Sequence, residues 1–331
     1  MTAGLRRWLE ARWWHQAPVP GWLAALSGLY GRVALARRRR ALAAAVTLPV
    51  PVVVVGNLAV GGTGKTPVVI ALVEALVAAG FHPGVVSRGY GGRGAGGRVP
   101  PDGDPGRYGD EPVLIARRTG VPVWVDRDRV AAGRALLAGH GVDVVVADDG
   151  LQHYRLARTV EIAVVDGRRR FGNGRLLPAG PLREPPGRLA EVDLVLVNGL
   201  RSPHEPGFDL VAGDPRALRD DQRRPLAAFT GSPVHAVAGI GDPSRFFASL
   251  RAAGLEPIEH PFPDHHRYRP GDLAFGDPRP VLMTEKDAVK CAAFAQANWY
   301  ALPVSAVLPP AAIARVVERL AQRPRRVVEG P

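Results

Sequence analysis

Four consecutive valines, Val52 to Val55, lead into Gly56-Asn57 and then Gly61-Gly62-Thr63-Gly64-Lys65-Thr66-Pro67, after which an apolar helical pattern runs from Val68 to Ala79. Strand, glycine-rich loop and helix in that order restrict the chain to an α/β fold built to hold a phosphorylated nucleotide. Glycines let backbone N–H groups turn inward around phosphate oxygens, and the helix offers the positive end of its dipole to the same charge. Pro67 suits a first helical turn and Gly80 a helix end. The loop residues Ala59, Val60, Gly61, Gly62, Thr63, Gly64, Lys65 and Thr66 are therefore expected to bind nucleotide, with Lys65 on the β and γ phosphates and the Thr66 hydroxyl on Mg²⁺. Ala59 stands where the usual pattern has its first glycine, and Gly61 and Gly62 supply the flexibility instead. A glycine-rich turn that only lets strand and helix pack closely is the competing reading.

Further apolar runs at Gly84–Ser87, Val121–Val125, Val142–Ala147, Ile162–Val165 and Leu194–Val197 alternate with helical patterns. That is the sequence form of a mostly parallel sheet covered on both faces, as in P-loop NTPases. The fourth run, Val142 to Ala147, ends in Asp148-Asp149-Gly150. Ligands in open α/β sheets lie beyond the carboxyl ends of strands, so Asp148 and Asp149 should face the phosphate loop and place Mg²⁺. Neighbouring strand residues point opposite ways, so one of the two is the direct ligand. The competing reading is a plain turn. Segments 88–109 and 167–188 show no periodicity and read as long loops, and 201–224 reads as a boundary or linker. From Pro225 a second α/β unit follows, with strands at Val234–Ala238 and Pro280–Met283 and a helix at Ser244–Ala253. The expected organisation is a membrane-anchoring segment 1–45, a nucleotide-binding domain 46–224 and a smaller C-terminal α/β domain 225–331.

The N-terminal segment carries much of the chain's net charge of +12. Residues 1–45 hold eight arginines against one acid, Glu10, together with four of the six tryptophans, Trp8, Trp13, Trp14 and Trp22. Indole rings rest at headgroup depth and guanidinium groups meet anionic lipid, so this composition fits a bilayer surface. The uncharged run from Gln16 to Gly31 is too short for a clean span, and Pro18, Pro20 and Gly21 interrupt it. A helix from about Trp22 to Arg39 lying in the interface is expected, with packing on the protein's own core as the alternative. The tract matches no nucleic-acid-reading motif, so no nucleic-acid partner is expected. The single cysteine, Cys291, excludes an internal disulfide.

Two further constellations carry ionisable groups. Gly109-Asp110-Glu111-Pro112 closes the first long loop, where Asp110 is either a chemical group or a helix cap. Pro263-Asp264-His265-His266 lies in the second unit, and adjacent histidines do not have helical metal-ligand spacing.

Together with Asn57 to Pro67, Ser87-Arg88-Gly89-Tyr90-Gly91, Asp148 to His153, the block Phe171 to Glu184 and Thr284-Glu285-Lys286-Asp287, these motifs resemble the tetraacyldisaccharide 4′-kinases, the lipid A 4′-kinases of Gram-negative bacteria. The resemblance runs in the family's order from the N-terminus to about residue 290, and the family itself lacks the first glycine of the usual loop. It implies transfer of the ATP γ-phosphoryl group to the 4′-hydroxyl of a tetraacylated glucosamine disaccharide 1-phosphate, forming lipid IVA at the cytoplasmic face of the inner membrane. It also implies Asp110 as the base, His265 orienting it, and Lys65 as the third catalytic group. On the acceptor side it implies Tyr90, Glu111, Gln152, His153, Asn173, Arg175 and Arg183. Arg168, Arg169, Arg170, Arg175 and Arg183 have the fork geometry to meet the acceptor's phosphate, or form a solvated basic loop.

Two rivals share the loop. Membrane-associated ATPases of the cell-division and partition type place a lysine just before the two glycines, where this chain has Val60. GTP-dependent switches need a spaced Asn-Lys-x-Asp pattern, whereas Lys286 and Asp287 are adjacent.

Overall fold

The computed structural model describes residues 3–15, 17–94 and 96–322. The main sheet, nine-stranded among the described residues, is built from β1 (Val52–Gly56), β2 (Pro83–Ser87), β3 (Gly97–Val99), β4 (Val123–Val125), β5 (Val144–Asp148), β6 (Val160–Asp166), β7 (Leu194–Asn198), β8 (Gly207–Ala212) and, from the far end of the chain, β14 (Val304–Val307). Its order is β14-β8-β7-β6-β1-β5-β2-β4-β3. All pairings are parallel except those of the edge strands β3 and β14. The mostly parallel α/β sheet expected from the sequence is the one observed.

The valine run of β1 shows why this strand is central. Val53 and Val55 enter one buried cluster and Val52 and Val54 the other, so both faces of the sheet are covered. On the first face lie helices α3 (Lys65–Ala78), α5 (Asp110–Thr119) and α9 (Pro310–Ala321). α9 turns Ala312, Val316 and Leu320 inward at four-residue spacing. The second face is covered by α6 (Arg129–Ala138) through Val130, Ala132, Leu136 and Leu137.

A second sheet, of order β11-β10-β12-β13-β9, comprises β9 (Arg216–Ala217), β10 (Val234–Ala238), β11 (Pro257–Pro261), β12 (Val281–Thr284) and β13 (Trp299–Leu302), with helices α7 (Pro243–Ala252) and α8 (Glu285–Cys291). The change of sheet does not coincide with residue 225. β9 precedes that point, and β14 and α9 return from the second unit to the first. Segment 201–224 is thus no simple linker, since it contributes a strand to each sheet. Nor is 88–109 wholly a loop: it holds β3 and the short helix α4 (Pro105–Tyr108). Both misreadings have one cause. Short strands in Gly-, Pro- and Arg-rich sequence, β3 and β9 at sheet edges and β8 between β7 and β14, carry no clear periodicity, and their pairing is fixed by the neighbouring strands.

The N-terminal segment forms α1 (Ala3–Trp14) and α2 (Gly21–Ala43). α2 turns Leu23 and Ser27 inward, Ser27 Oγ donating to the Leu176 carbonyl at 2.8 Å and Tyr30 OH to that of Arg183 at 3.2 Å. Trp13 Nε1 donates to the Pro178 carbonyl at 2.9 Å. A neighbouring stripe of α2, about a quarter turn from that inward row, leaves Trp22, Leu26, Leu29 and Val33 exposed. No helix among the described residues is long and apolar enough to cross a membrane.

Candidate active site

The loop after β1 begins beside strand β5, whose Asp148 pairs in register with Val55. Gly64 caps α3 in a left-handed conformation (φ 94), and a Cβ there would lie 2.6 Å from Asn198 Nδ2. Only glycine satisfies both conditions. Asn198, at the carboxyl end of β7, donates to the Thr63 carbonyl at 3.0 Å and so fixes the loop from a neighbouring strand. Val60 and Ala59 are held from the other side: Val60 N donates to the Pro181 carbonyl at 2.8 Å, and Ala59 bridges Leu182. The Phe171 to Glu184 block is therefore the wall against which the phosphate loop is moulded. Lys65 Nζ lies 3.2 Å from Asn57 Oδ1 and 3.5 Å from Asp149.

The two aspartates after β5 are divided by their surroundings. Asp149 is in a left-handed conformation (φ 48) and binds Arg183 at 3.1 Å, so despite burial Lys65 and Arg183 hold its carboxyl well below the usual range. Asp148 is buried, takes the Ser87 hydroxyl on Oδ2 at 3.1 Å and leaves Oδ1 without a partner. Burial, then Glu111 and Asp149, push its carboxyl up to about 7. A buried, half-satisfied carboxylate among acidic neighbours is a place that a cation would relieve. Mg²⁺ is commonly bound by one or two carboxylates plus substrate phosphates, and Asp148 and the Thr66 hydroxyl at the start of α3 are the donors that could hold it.

Asp110 opens α5 and is 4% exposed. His265, from the turn after β11, is itself left-handed (φ 60) and places Nδ1 3.0 Å from Asp110 Oδ2 and 3.2 Å from Oδ1. Burial acts to raise the Asp110 carboxyl, but the His265 hydrogen bond and the Lys286 and Lys290 charges outweigh it, and the net direction is down. His265 moves up: burial opposes its charge, and the bond to Asp110 more than compensates. The pair lines a cleft of about 190 Å³ with Gly91, Asp104, Arg267, Tyr268 and Lys290. Tyr90 lies over His265, ring centroids 4.9 Å apart, and is otherwise exposed. An oriented, ionised carboxylate open to a cleft can accept a proton from a hydroxyl.

A family model for tetraacyldisaccharide-1-P 4'-kinase matches residues 20–321. The chain belongs to this family. It is similar to the tetraacyldisaccharide 4'-kinase of Alkalilimnicola ehrlichii, with 54% identity over 93% of this chain and 96% of the relative. That of Stenotrophomonas maltophilia is 53% identical over 93% and 95% of the two chains, and that of Pseudomonas paraeruginosa 51% over 94% and 96%. Among solved structures, LpxK from Aquifex aeolicus in complex with ATP superposes with a TM-score of 0.75 at 28% identity, covering 90% of this chain and 98% of that one.

Around this site the kinase fold gathers most of the residues singled out in the sequence. Glu111 pairs with Lys286 at 3.1 Å. Gln152 Nε2 donates to the Asn57 carbonyl and its Oε1 accepts from Arg183. His153 is pushed down to about 4 by burial and then by Arg129 and Arg88. Asn173 is occupied by its own loop and by α1, donating to the Ala179 and Arg12 carbonyls and accepting from the Arg175 N–H, while the Arg175 residue is exposed. Arg169 and Arg170 form ion pairs with Asp242 and Glu205. His266 bonds Asp272 at 3.1 Å, away from the base. Asn198, Ser87, Arg129 and Lys286 had no role in the sequence reading. Arg129 is 2% exposed with an unpartnered Nε, and burial lowers it to about 10. Only for Ser87 and Lys286 was there a signal, their places in the Ser87 to Gly91 and Thr284 to Asp287 motifs.

Proposed function

We propose that the chain is an ATP-dependent kinase that phosphorylates the 4′-hydroxyl of a tetraacylated glucosamine disaccharide 1-phosphate, and that Asp110 is its base. The observation that carries the assignment of the base is the Asp110–His265 pair, a buried ionised carboxylate aimed by a histidine from the other sheet. Phosphoryl transfer asks the protein mainly for positioning and charge neutralisation. Lys65 and the loop N–H groups hold the β and γ phosphates. Asp110 takes the proton of the 4′-hydroxyl as its oxygen bonds to the γ phosphorus. The bond from that phosphorus to the bridging oxygen breaks, and ADP leaves. His265 keeps the carboxylate oriented throughout. Asp148 and Thr66 are the residues that would hold Mg²⁺, which when bound neutralises charge on the phosphate oxygens. Asp149 serves instead to hold Lys65 and Arg183 in place.

The same reading puts the protein on the cytoplasmic, anionic surface of the inner membrane. What supports this is the stripe of Trp22, Leu26, Leu29 and Val33 on α2, flanked by exposed Arg32, Arg37, Arg39 and Arg40. The helix is apolar on two sides, one for the protein and one for lipid. An acyl-chain substrate would then reach the site without leaving its bilayer.

Asp110→Ala is expected to lower kcat by about 10²- to 10⁴-fold with little change in the KM for ATP. An equal loss of ATP binding would instead give Asp110 a metal or structural role.

A further inference from the structure

The motif Thr284-Glu285-Lys286-Asp287 forms the start of α8, in the second sheet's layer, yet two of its side chains reach the other unit. Glu285 binds Arg118 of α5 with both oxygens at 2.7 Å. Lys286 Nζ lies 3.1 Å from Glu111, 3.4 Å from Asp264 and 3.9 Å from Asp110. Thr284 caps the helix, its Oγ1 accepting from Asp287 N, and Asp287 Oδ2 accepts from Gly239 N at 2.9 Å. The turn that carries His265 is fixed to the same strand end, His265 N donating to the Gly239 carbonyl. One short motif thus sets the placement of a lysine and a histidine on the same carboxylate.

We infer that Lys286 is a positioning residue for the phosphoryl transfer: a cation, supplied across the junction of the two sheets, that lets three carboxylates crowd around one acceptor hydroxyl site with the base still ionised. Without it, Asp110, Glu111 and Asp264 would be close like charges with only His265 and Lys290 to offset them, and a like-charged neighbour favours the protonated acid. The groups facing Asp110 are Glu111 on its own helix, Asp264 and His265 from the turn after β11, and Lys286 and Lys290 from α8, with Asp104, Arg267 and Tyr268 lining the same cleft. Lys290 pairs with Asp287 at 2.8 Å and lies as close to Asp110 as Lys286 does, at 3.9 Å, but it meets neither Glu111 nor Asp264, which makes Lys286 the cation shared among the three. Its ammonium is held charged: burial opposes the charge, and Glu111, Asp110 and Asp264 together raise it above the ordinary lysine value. The inference rests on Asp110 being the base.

The test is the pH dependence of kcat in Lys286→Gln, Lys286→Arg and Arg118→Gln, with ATP and lipid acceptor in detergent. Lys286→Gln should lower kcat at pH 7 by at least about tenfold, leave the KM for ATP within about twofold, and move the acid limb of the profile to higher pH. Lys286→Arg should restore the limb. Arg118→Gln removes the motif's other ion pair across the junction and should leave the limb where it is. Should Lys286→Gln fail to fold, Lys286→Met combined with Glu111→Gln removes the cation with its main partner, and its acid limb is compared with that of Glu111→Gln alone. An unmoved acid limb in Lys286→Gln or in that pair, or the same shift in Arg118→Gln, would overturn the role of Lys286. Full activity in Asp110→Ala would instead remove the base on which it depends.

Discussion

The division of labour between Asp148 and Asp149 is set by what each touches. Lys65 and Arg183 occupy Asp149, whereas Asp148 keeps a buried oxygen free. Asp148→Asn should therefore raise the Mg²⁺ concentration needed for half-maximal rate by at least about tenfold, as losses of metal-site residues commonly do. Titrating Mg²⁺ at saturating ATP checks it. The Asp110–His265 pair gives a pH window. The His265 pKa is raised, so its contribution is full below the ordinary value of 6.5 and is lost as pH rises through the higher folded value. The Asp110 pKa is lowered, so its contribution is present above the ordinary 3.8 and is lost as pH falls through the lower folded value. The pair is at full strength between those two ordinary values. An NMR titration should place His265 above 6.5 in the wild type and lower in Asp110→Asn; an unchanged value in the variant would show that the carboxylate does not hold the imidazole charged.

At the scale of elements, legibility followed continuity in the chain. The loop from Ala59 to Thr66 and the end of β5 could be read because strand, loop and chemistry are contiguous there. Asn198, which holds the loop at Thr63, sits at the end of β7 and looks like any strand terminus until the sheet order brings β7 close to β1. The return of β14 and α9 to the first sheet was hidden for the same reason, since pairing partners distant in sequence leave no periodic mark. α2 was partly legible. Its arginines and Trp22 led to the expectation of a membrane-facing helix, whereas the inward register of Leu23, Ser27 and Tyr30 depends on the 171–184 block. Leu26→Glu with Leu29→Glu should leave the inner face intact and sharply reduce flotation with anionic vesicles. Unchanged flotation would remove this stripe from membrane binding.

Over the whole molecule, the candidate base lies where the two sheets meet. Asp110 comes from the first and His265 and Lys286 from the second. Gly241 lies against the phosphate loop so closely that a Cβ there would fall 2.9 Å from Gly62 N. Arg245 of α7 reaches Asn198 at 2.8 Å and Asp166 at 3.4 Å, and Arg118 binds Glu285. ATP at a hundredfold its Kd should stabilise the chain by about 2.7 kcal/mol through binding the folded form alone. In Gly64→Ala, where a left-handed backbone and the Asn198 contact both oppose a side chain, most of the ATP-dependent rise in Tm should vanish. Whether the phosphate loop serves a base that activates a lipid hydroxyl is decided by incubating the protein with γ-³²P-ATP, Mg²⁺ and a tetraacylated glucosamine disaccharide 1-phosphate in detergent. The expected result is labelled lipid from the wild type and almost none from Asp110→Ala, with ATP still bound; ATP hydrolysis with no labelled lipid would contradict it.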